Sequence, residues 1–108
     1  LAVDMGCIGL DLSCTELDVS ICAKDSGGPY DYEMTSKLMK LAKALDLNYA
    51  VDIYPFYQSD VTAALHAGHD IRGALIGPGV HASHGMERTH YNAVEQTMKL
   101  VAAYICMD

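Results

Sequence analysis

The stretch DIRGALIGPGVHASHGMERTH, residues 70–90, joins an apolar segment to a loop that is crowded with histidines. Residues 70–77 predict a buried strand, and the Gly-Pro-Gly run at the end of that segment predicts a turn. The last twelve residues, 79–90, contain three histidines, a glutamate and an arginine. Two interpretations fit this crowding: a polar loop with solvated histidines, or a loop in which a histidine binds a metal ion.

On the N-terminal and C-terminal sides of this stretch, strand-like and helix-like segments alternate. Apolar and β-branched runs predict further strands at residues 1–5, 19–23 and 48–56, with a loop over 6–18. Periodic apolar residues predict helices at residues 31–46, 60–67 and 90–106. This alternation is typical of α/β proteins, in which helices cover a sheet. We therefore predict an α/β fold.

Capping residues and apolar stripes define the predicted helices more closely. Asp31 suits the N-cap of the first helix, Ser59 that of the second and Thr89 that of the third. Two helices also carry apolar residues with 4-3-4 spacing, which is typical of a helix face that packs on a core. These residues are Met34, Leu38, Leu41 and Leu45 in the first helix, and Val94, Met98, Val101 and Ile105 in the third.

The composition is that of a globular protein and argues against two classes of partner. The chain has 108 residues, of which 51% are hydrophobic, enough for one modest core. No apolar run approaches the roughly 20 residues that span a bilayer. The formal net charge of −7 disfavours nucleic acid, which is itself a polyanion. We therefore expect neither a membrane nor a nucleic acid as partner.

The four cysteines do not form a recognisable metal or redox motif. They stand at Cys7, Cys14, Cys22 and Cys106, without a C-x-x-C pair. A disulfide framework would suit a smaller, loop-rich secreted chain. We therefore expect reduced thiols, mostly in the core, and a cytoplasmic protein.

A carboxylate and an imidazole are expected to meet at one edge of the sheet. Asp4 ends the first predicted strand, and the histidine loop follows the strand at 70–77. Ligands of open α/β sheets gather beyond the carboxyl ends of the strands, so parallel neighbouring strands would bring Asp4 and a loop histidine to one pocket. Such a pair suits zinc or a related divalent ion. The alternative is that Asp4 caps a turn and the histidines are solvated.

The spacing alone leaves the identity of the histidine open. His81 and His84 lie three residues apart, and His90 follows six residues later, so all three could bind one metal. His66 and His69 form a second H-x-x-H at a predicted helix end. Helix C-termini favour a partly protonated imidazole through the helix dipole, so no metal role is expected there.

Asp60 and Arg88 are candidates for substrate binding. The ordinary role of Asp60 is at the start of a helix, but near the end of the preceding strand it could face the pocket and receive a substrate amine. Arg88 would ordinarily form a surface pair with Glu87. It could instead bind a substrate carboxylate through the fork of its guanidinium group.

Three segments, taken in order, resemble a known peptidase family. They are AVDMG at 2–6, ICAKDSGGPYDYEMTSKLMKLAKALDL at 21–47, and YQSDVTAALHAGHDIRGALIGPGVHASHGMERTH at 57–90. Together they resemble the C-terminal part of the glutamyl and deblocking aminopeptidases, which build tetrahedral particles and were formerly often labelled endoglucanases. The resemblance implies a three-layer α/β/α sandwich and the distal part of a zinc-peptidase-like catalytic domain.

The resemblance also implies a site with two divalent metal ions, zinc or cobalt. Asp4 matches the family's aspartate at a strand end, and His84 best matches its late histidine, each serving a different metal. His81 remains a rival because the serine–proline that usually follows the histidine is missing here. Asp60 matches an aspartate segment that would line the pocket. The family's Glu-Glu pair, which supplies the general base, does not occur in the chain, so no catalytic residue is expected here.

The chain is therefore predicted to be a fragment of a metal-dependent aminopeptidase that hydrolyses N-terminal residues from peptides through a metal-activated water. Its expected partners are a peptide substrate, the missing N-terminal part of the same protein and further copies in a homo-oligomer. The fragment alone would be inactive. Two alternatives stay open: a non-catalytic α/β domain that binds a ligand or partner, and another hydrolase such as a glycosidase. A glycosidase would need facing carboxylates, such as Asp4 with Asp60 or Glu87.

Overall fold

The computed structural model describes residues 1–107, which contain six strands and three helices. The strands are β1 (Ala2–Val3), β2 (Gly6–Cys7), β3 (Val19–Asp25), β4 (Gly28–Pro29), β5 (Tyr49–Ile53) and β6 (Leu75–Val80). The helices are α1 (Tyr32–Ala44), α2 (Asp60–His66) and α3 (Tyr91–Cys106). Among the described residues, no helix has both the length and the apolar character that crossing a membrane requires.

All six strands belong to one mixed sheet, with β6 and β3 at its centre. β1 and β2 both run parallel to β6, which places Ala2 beside Leu75 and Cys7 beside Val80. On its other side β6 pairs antiparallel with β3, which in turn pairs parallel with β5 and forms a short hairpin with β4. The first strand and the strand before the histidine loop are therefore parallel neighbours, which is the condition for Asp4 and a loop histidine to share a pocket.

Helices cover both faces of the sheet, and alternating strand side chains build two apolar clusters. Ile21 and Ile76 point to the face that α1 and α3 cover. Cys22 and Leu75, one residue out of phase, point to the opposite face, where Val61 of α2 packs. The predicted three-layer α/β/α arrangement is therefore present, with α1 and α3 on one face of the sheet and α2 on the other.

Helix α1 forms as its sequence predicts. The Asp31 side chain accepts a hydrogen bond from the Met34 N–H at 2.9 Å, which satisfies one of the free donors of the first turn. Leu38 is fully buried, and Met34 and Leu41 pack against the same core. Leu45 follows the helix and is exposed. Three of the four stripe residues therefore form the buried face.

The Gly-Pro-Gly run does not form the predicted turn, because it lies inside β6. The neighbouring backbone passes so close to Gly77 that a Cβ there would lie 1.8 Å from the Asp4 carbonyl oxygen. Glycine at this position therefore permits a close approach of two strands, as glycines within strands often do.

Pro78 explains why the strand predicted at residues 1–5 stops at Val3 and why a separate short strand, β2, follows it. In the parallel ladder the Asp4 N–H donates to the Ile76 carbonyl at 3.0 Å, so residue 78 would donate next to Asp4. Pro78 has no N–H, and the pairing stops at Asp4 and Met5 before resuming at Gly6. The predicted strand is consequently shorter than expected, and β2 lies in the segment 6–18 that was predicted as a loop.

The second and third helices begin near the predicted residues, but the predicted capping side chains are engaged elsewhere. Ser59 precedes α2 without capping it, since its hydroxyl lies 2.7 Å from the Tyr30 hydroxyl. His90 caps α3 through Nδ1, which accepts the N–H two residues on at 2.9 Å. The prediction that Thr89 caps α3 is wrong, because its hydroxyl donates to the Gly79 carbonyl at 2.6 Å.

The apolar stripe predicted for α3 is not the face that packs on the sheet. The buried residues of α3 are Ala93, Thr97, Leu100 and Ala103. In the predicted stripe, Val94, Met98 and Ile105 are 41, 66 and 74% exposed. Apolar spacing identifies residues that share a helix face, but here Leu100 and three smaller residues turn inward, and Val101 is the stripe residue that packs against the core.

The described cysteines are free, as predicted. Cys7, Cys14 and Cys22 are buried, and Cys106 is exposed at the end of α3. Burial raises the pKa of the Cys14 and Cys22 thiols to about 12, which keeps them protonated at neutral pH.

Candidate functional site

A small pocket lies where the histidine loop meets the break between β1 and β2. Its walls include Asp4, Cys7, Asp25, Tyr57 and His84. The space inside is about 30 Å³, which suits a water molecule or a metal ion and is too small for a peptide side chain. The carboxylate and the imidazole that the sequence singled out therefore line one pocket.

Asp4 reaches this pocket because its residue lies in the interruption of the strand pairing. Its side chain is exposed, and Asp4 Oδ1 accepts the Met5 N–H at 2.8 Å. That bond uses one of the roughly four acceptor positions of a carboxylate. The remaining positions are available to a ligand in the pocket.

His84 is held in a short closed loop. The backbone groups of His81 and Arg88 exchange two hydrogen bonds, of 2.7 and 3.1 Å, which close the loop at its base. Inside it, Ala82 and His84 have positive φ angles of 52° and 66°. Glu87 Oε1 accepts the His84 N–H at 2.9 Å. This bond helps to hold a backbone conformation that L-residues rarely adopt.

Two further contacts orient the imidazole of His84. The Tyr57 ring stacks on it with centroids 5.0 Å apart and an interplanar angle of 11°. His84 Nδ1 lies 3.0 Å from Ser83 Oγ, and the same hydroxyl lies 3.5 Å from Met5 Sδ, to which it can donate. With the Ser83 proton directed to Met5, Nδ1–H donates to Ser83 and the Nε2 lone pair is free to bind a metal.

Asp25 is a buried carboxylate at the end of β3 that sequence alone did not single out. It is 1% exposed, and it accepts the Gly27 N–H at 2.8 Å, the Tyr30 hydroxyl at 2.6 Å and the Thr62 hydroxyl. Burial by itself would raise the pKa of the Asp25 carboxyl, but these donors outweigh it and the pKa lies below the usual value. The available signal was the Asp-Ser-Gly sequence, which is typical of an Asx turn.

Cys7 contributes a thiol to the pocket, where the sequence predicted only a core residue. Its Sγ lies 3.7 Å from Ser83 Oγ. Burial raises the pKa of the Cys7 thiol, so it is protonated at neutral pH. The hydroxyl of Ser83 is thus surrounded by an imidazole, a thiol and a thioether.

Asp60 lies beside this pocket rather than in it. It occupies the first turn of α2 and lines a second, more open recess together with Asp4, Val61 and Ile71. Asp4 borders both spaces. Asp60 is therefore close to Asp4, the predicted metal ligand, but outside the pocket that Asp4 shares with His84.

Arg88 and His81 point towards Glu16 and do not line the pocket. Arg88 Nη2 lies 3.0 Å from Glu16 Oε2, and His81 Nε2 lies 3.6 Å from the same oxygen. The expected surface pair of Arg88 with Glu87 is thus replaced by one with Glu16. Of His81 and His84, it is His84 that lines the same pocket as Asp4.

The donors in the pocket match a metal in kind but fall short in number. Asp4 and His84 supply a carboxylate oxygen and an imidazole nitrogen, both ordinary ligands of zinc and related ions. Within residues 1–107, no cluster of three or more His, Cys, Asp or Glu residues could hold a metal. A zinc ion usually takes four ligands, so a metal bound here requires donors from outside these residues.

Comparison with known proteins gives a family match and a sequence relative. The profile of the family described as M42 glutamyl aminopeptidase matches residues 1–100. Over 105 residues the chain is 50% identical to YhfE of Bacillus subtilis (strain 168), a protein provisionally called an aminopeptidase. The matched region is 97% of this chain and 30% of YhfE. The chain thus spans slightly less than a third of that relative.

Solved structures with low sequence identity share the fold. PhTET1-12s, solved with a dodecamer in the asymmetric unit, matches with a TM-score of 0.83 and 16% identity, over 98% of this chain and 33% of its own. Aminopeptidase APDkam598 from the archaeon Desulfurococcus kamchatkensis gives 0.83 and 13%, over 95 and 32%. The TET aminopeptidase from Thaumarchaeota archaeon SCGC AB-539-E09 gives 0.72 and 12%, over 85 and 27%. These likenesses confirm the α/β fold.

Proposed function

The chain belongs to the M42 glutamyl aminopeptidase family, and from that membership we propose that it is part of a metal-dependent aminopeptidase. The complete enzyme would hydrolyse N-terminal residues from peptides. One observation carries the proposal: Asp4 and His84, from opposite ends of the chain, line the same small pocket.

Asp4 and His84 would each bind one of two divalent metal ions, zinc or cobalt. Such ions polarise the scissile carbonyl and lower the pKa of a water toward about 7. In this chain the exposed Asp4 carboxylate and the His84 Nε2 present the lone pairs. The other ligands and the general-base glutamate would come from the part of the enzyme outside these residues.

Residues around His84 would act as positioning residues. Tyr57 fixes the plane of the imidazole, and Ser83 fixes its Nδ1 proton. The Ser26 N–H donates to the Tyr57 carbonyl at 3.0 Å, which ties Tyr57 to the turn that follows Asp25. The buried network of Asp25 thereby supports the side of the pocket opposite the histidine loop.

Asp60 and Arg88 remain proposed substrate contacts. Asp60 lines the recess beside Asp4, which suits capture of a substrate amine close to the metal. Arg88 would have to release Glu16 before binding a substrate carboxylate. The Arg88 side chain is 72% exposed. Because exposed ion pairs contribute only about 0–1 kcal/mol, breaking the Arg88–Glu16 pair costs little free energy.

We also propose a homo-oligomeric, cytoplasmic enzyme. The dodecamer of PhTET1-12s supports oligomerisation in proteins of this fold. The free thiols of Cys7, Cys14 and Cys22 are typical of a reducing compartment.

The test is a His84→Ala variant of the complete enzyme, with His69→Ala as the control at an exposed histidine. We expect the variant to lose one metal ion per subunit by elemental analysis. Hydrolysis of aminoacyl substrates should fall at least on the order of 100-fold, because even outer-shell partners of metal ligands cost about 10- to 100-fold. Unchanged metal stoichiometry would refute the role of His84.

The same preparation separates the peptidase from the alternatives. Chelation should abolish aminopeptidase activity, and added zinc or cobalt should restore it. Family membership favours the peptidase, although the carboxylates of Asp4 and Asp60 line one recess. Hydrolysis of aryl glycosides in place of aminoacyl substrates, or binding without any hydrolysis, would overturn the proposal.

A further inference from the structure

Gln58 is a polar residue of the pocket that the sequence did not single out. Its side chain lines the space that Asp4 and His84 share, and the residue is exposed. A glutamine amide offers two N–H donors and a carbonyl acceptor without a formal charge. A neutral hydrogen-bond donor therefore stands beside the two side chains that are proposed to bind cations.

The backbone on both sides of Gln58 is held in place. On the N-terminal side, the Tyr57 ring stacks on the imidazole of the pocket, and the Tyr57 carbonyl accepts the Ser26 N–H at 3.0 Å. On the C-terminal side, Ser59 is buried, and its hydroxyl lies 2.7 Å from the Tyr30 hydroxyl. A side chain on a segment fixed in this way can present its amide in a defined direction, which preorganised catalysis requires.

The other polar groups of the pocket mostly accept hydrogen bonds or are already engaged. Asp4 and His84 present lone pairs, and the buried Asp25 carboxylate already accepts bonds from its own network. The hydroxyls of Ser83 and Tyr54 contact other groups of the protein. A substrate carbonyl offers lone pairs as well, so it needs a donor, and the Gln58 amide can supply one.

We propose that Gln58 is a catalytic residue whose side-chain N–H donates a hydrogen bond to the scissile carbonyl oxygen as negative charge develops on it. When water attacks the carbonyl carbon, a C–O bond forms and the π electron pair moves onto that oxygen. The proton of the water passes to the general base, which would come from the part of the enzyme outside these residues. The electron pair then returns, the C–N bond breaks and the leaving amine takes the proton. A donor aimed at that oxygen stabilises the transition state more than the bound substrate.

This inference rests on the proposed peptidase function and adds to it a group that binds no metal. The test uses the complete enzyme with Gln58→Ala and Gln58→Glu, and Gln96→Ala is the control at the other glutamine of the chain, outside the pocket. Hydrolysis is measured with the aminoacyl p-nitroanilide that the parent enzyme cleaves fastest. Calorimetry measures binding of the corresponding aminophosphonic acid, a tetrahedral analogue of the charged state, and of the free amino acid. Elemental analysis follows the metal content.

For Gln58→Ala we expect kcat to fall about 100-fold, the lower end of the loss on removing such a donor, because this side chain is exposed. KM, metal content and affinity for the free amino acid should stay unchanged, whereas binding of the phosphonic acid should weaken by a similar factor. Gln58→Glu keeps the length of the side chain, lacks the donor and repels the negative oxygen, so its loss should be larger. Gln96→Ala should behave as the parent does.

Full activity of Gln58→Ala, or loss of metal from it, would overturn the inference. So would tighter binding of the free amino acid by Gln58→Glu, because Gln58 would then contact the substrate amine. Tyr57→Phe is measured alongside, and a loss of kcat in that variant without one in Gln58→Ala would make the Tyr57 hydroxyl the donor instead. A parent enzyme that holds metal but hydrolyses no aminoacyl substrate would overturn the proposed function and this inference with it, whereas the variant results bear on Gln58 alone.

Discussion

The ring of Tyr57 lies almost parallel to the imidazole of His84, with centroids 5.0 Å apart and an angle of 11° between the planes. Tyr57 belongs to the segment between β5 and α2, whereas His84 belongs to the loop after β6. Aromatic pairs of this kind contribute about 0.5–1.5 kcal/mol beyond the burial of their surface. The contact therefore connects two segments that are remote in sequence, and it fixes the direction in which His84 presents Nε2.

Removing the Tyr57 ring should weaken metal binding without removing a ligand. For Tyr57→Ala in the complete enzyme we expect the dissociation constant for zinc to rise by about 10-fold, the lower end of outer-shell effects. Tyr57→Phe keeps the stacked ring and should bind zinc as the parent does. Competition with a chromogenic chelator measures both. Tyr32→Ala, an exposed tyrosine of α1, is the control, and an equal loss in that variant would contradict the role of the stacking.

Loss of the Asp25 carboxylate should destabilise the fold. Asp25→Ala leaves the buried Thr62 hydroxyl without its acceptor, whereas the Tyr30 hydroxyl keeps the Ser59 hydroxyl as a partner. A buried unsatisfied group costs about 1–3 kcal/mol, so we expect a loss of about 1–3 kcal/mol. Urea denaturation measures the change, with the exposed Asp11 as the site of a control Asp11→Ala variant. A midpoint equal to that of the control would contradict the structural role of this network.

The same carboxylate should contribute to acid sensitivity. The pKa of Asp25 is lowered in the folded protein, so its contribution to stability is complete above the unfolded pKa of about 3.9 and is lost as pH falls through the folded value. The difference in unfolding free energy between the parent and Asp25→Asn should be constant near neutral pH and shrink below about pH 4. Denaturation midpoints across that range report it. A difference in unfolding free energy that grows as the pH falls would contradict the lowered pKa of Asp25.

Gly77 should tolerate no side chain. A Cβ at Gly77 would lie 1.8 Å from the Asp4 carbonyl oxygen, and this backbone cannot move without breaking the pairing of β1 with β6. Gly77→Ala should cost about 3 kcal/mol or prevent folding. Gly9→Ala is the matched control, since its nearest contact is the flexible Leu12 side chain at 3.6 Å. Equal soluble yield and equal melting temperature for both variants would contradict the close approach of the β1 backbone to Gly77.

The thiols should differ sharply in their reactivity. Cys106 is exposed, whereas Cys7, Cys14 and Cys22 are buried with raised pKa values, of about 12 for the last two. The thiolate is the reactive form, so one fast thiol per folded chain is expected near pH 8, with the other three reacting only on unfolding. The fast and slow phases of thiol modification are followed with a chromogenic disulfide reagent. Cys106→Ser should remove the fast phase, and its persistence would show that a buried thiol is accessible.

Local signals in the sequence identified much of the fold. Asp31 caps α1, and Leu38 lies at the centre of the core, because capping and apolar periodicity are properties of a single helix. Asp4 and a loop histidine could meet only if a strand near residue 4 ran parallel beside the strand before the histidine loop, and this condition is met. Because ligands of open α/β sheets gather beyond the carboxyl ends of the strands, the arrangement brings Asp4 and His84 to one pocket.

Other predictions failed because they depended on neighbours that are distant in sequence. The Gly-Pro-Gly run forms turns in isolation, but here Gly77 and Pro78 lie in a central strand whose neighbours on both sides determine the conformation. Thr89 is a good capping residue, yet the Gly79 carbonyl competes for its hydroxyl and His90 takes its place. Asp25 gave only the signal of a turn, since Thr62, which bonds it, approaches it only in the folded chain.

By itself, the sequence determined the three helices and the longer strands, the family to which the chain belongs, and Asp4 with a histidine of the loop as the proposed metal ligands. These properties reside in local order, in spacing and in residue type. Only the tertiary structure decided that His84 rather than His81 faces Asp4, that Arg88 pairs with Glu16, and that most of the predicted apolar stripe of α3 lies exposed. Each of those outcomes is a competition among groups for the same partner or the same surface, and it is settled by positions in space that no single segment encodes.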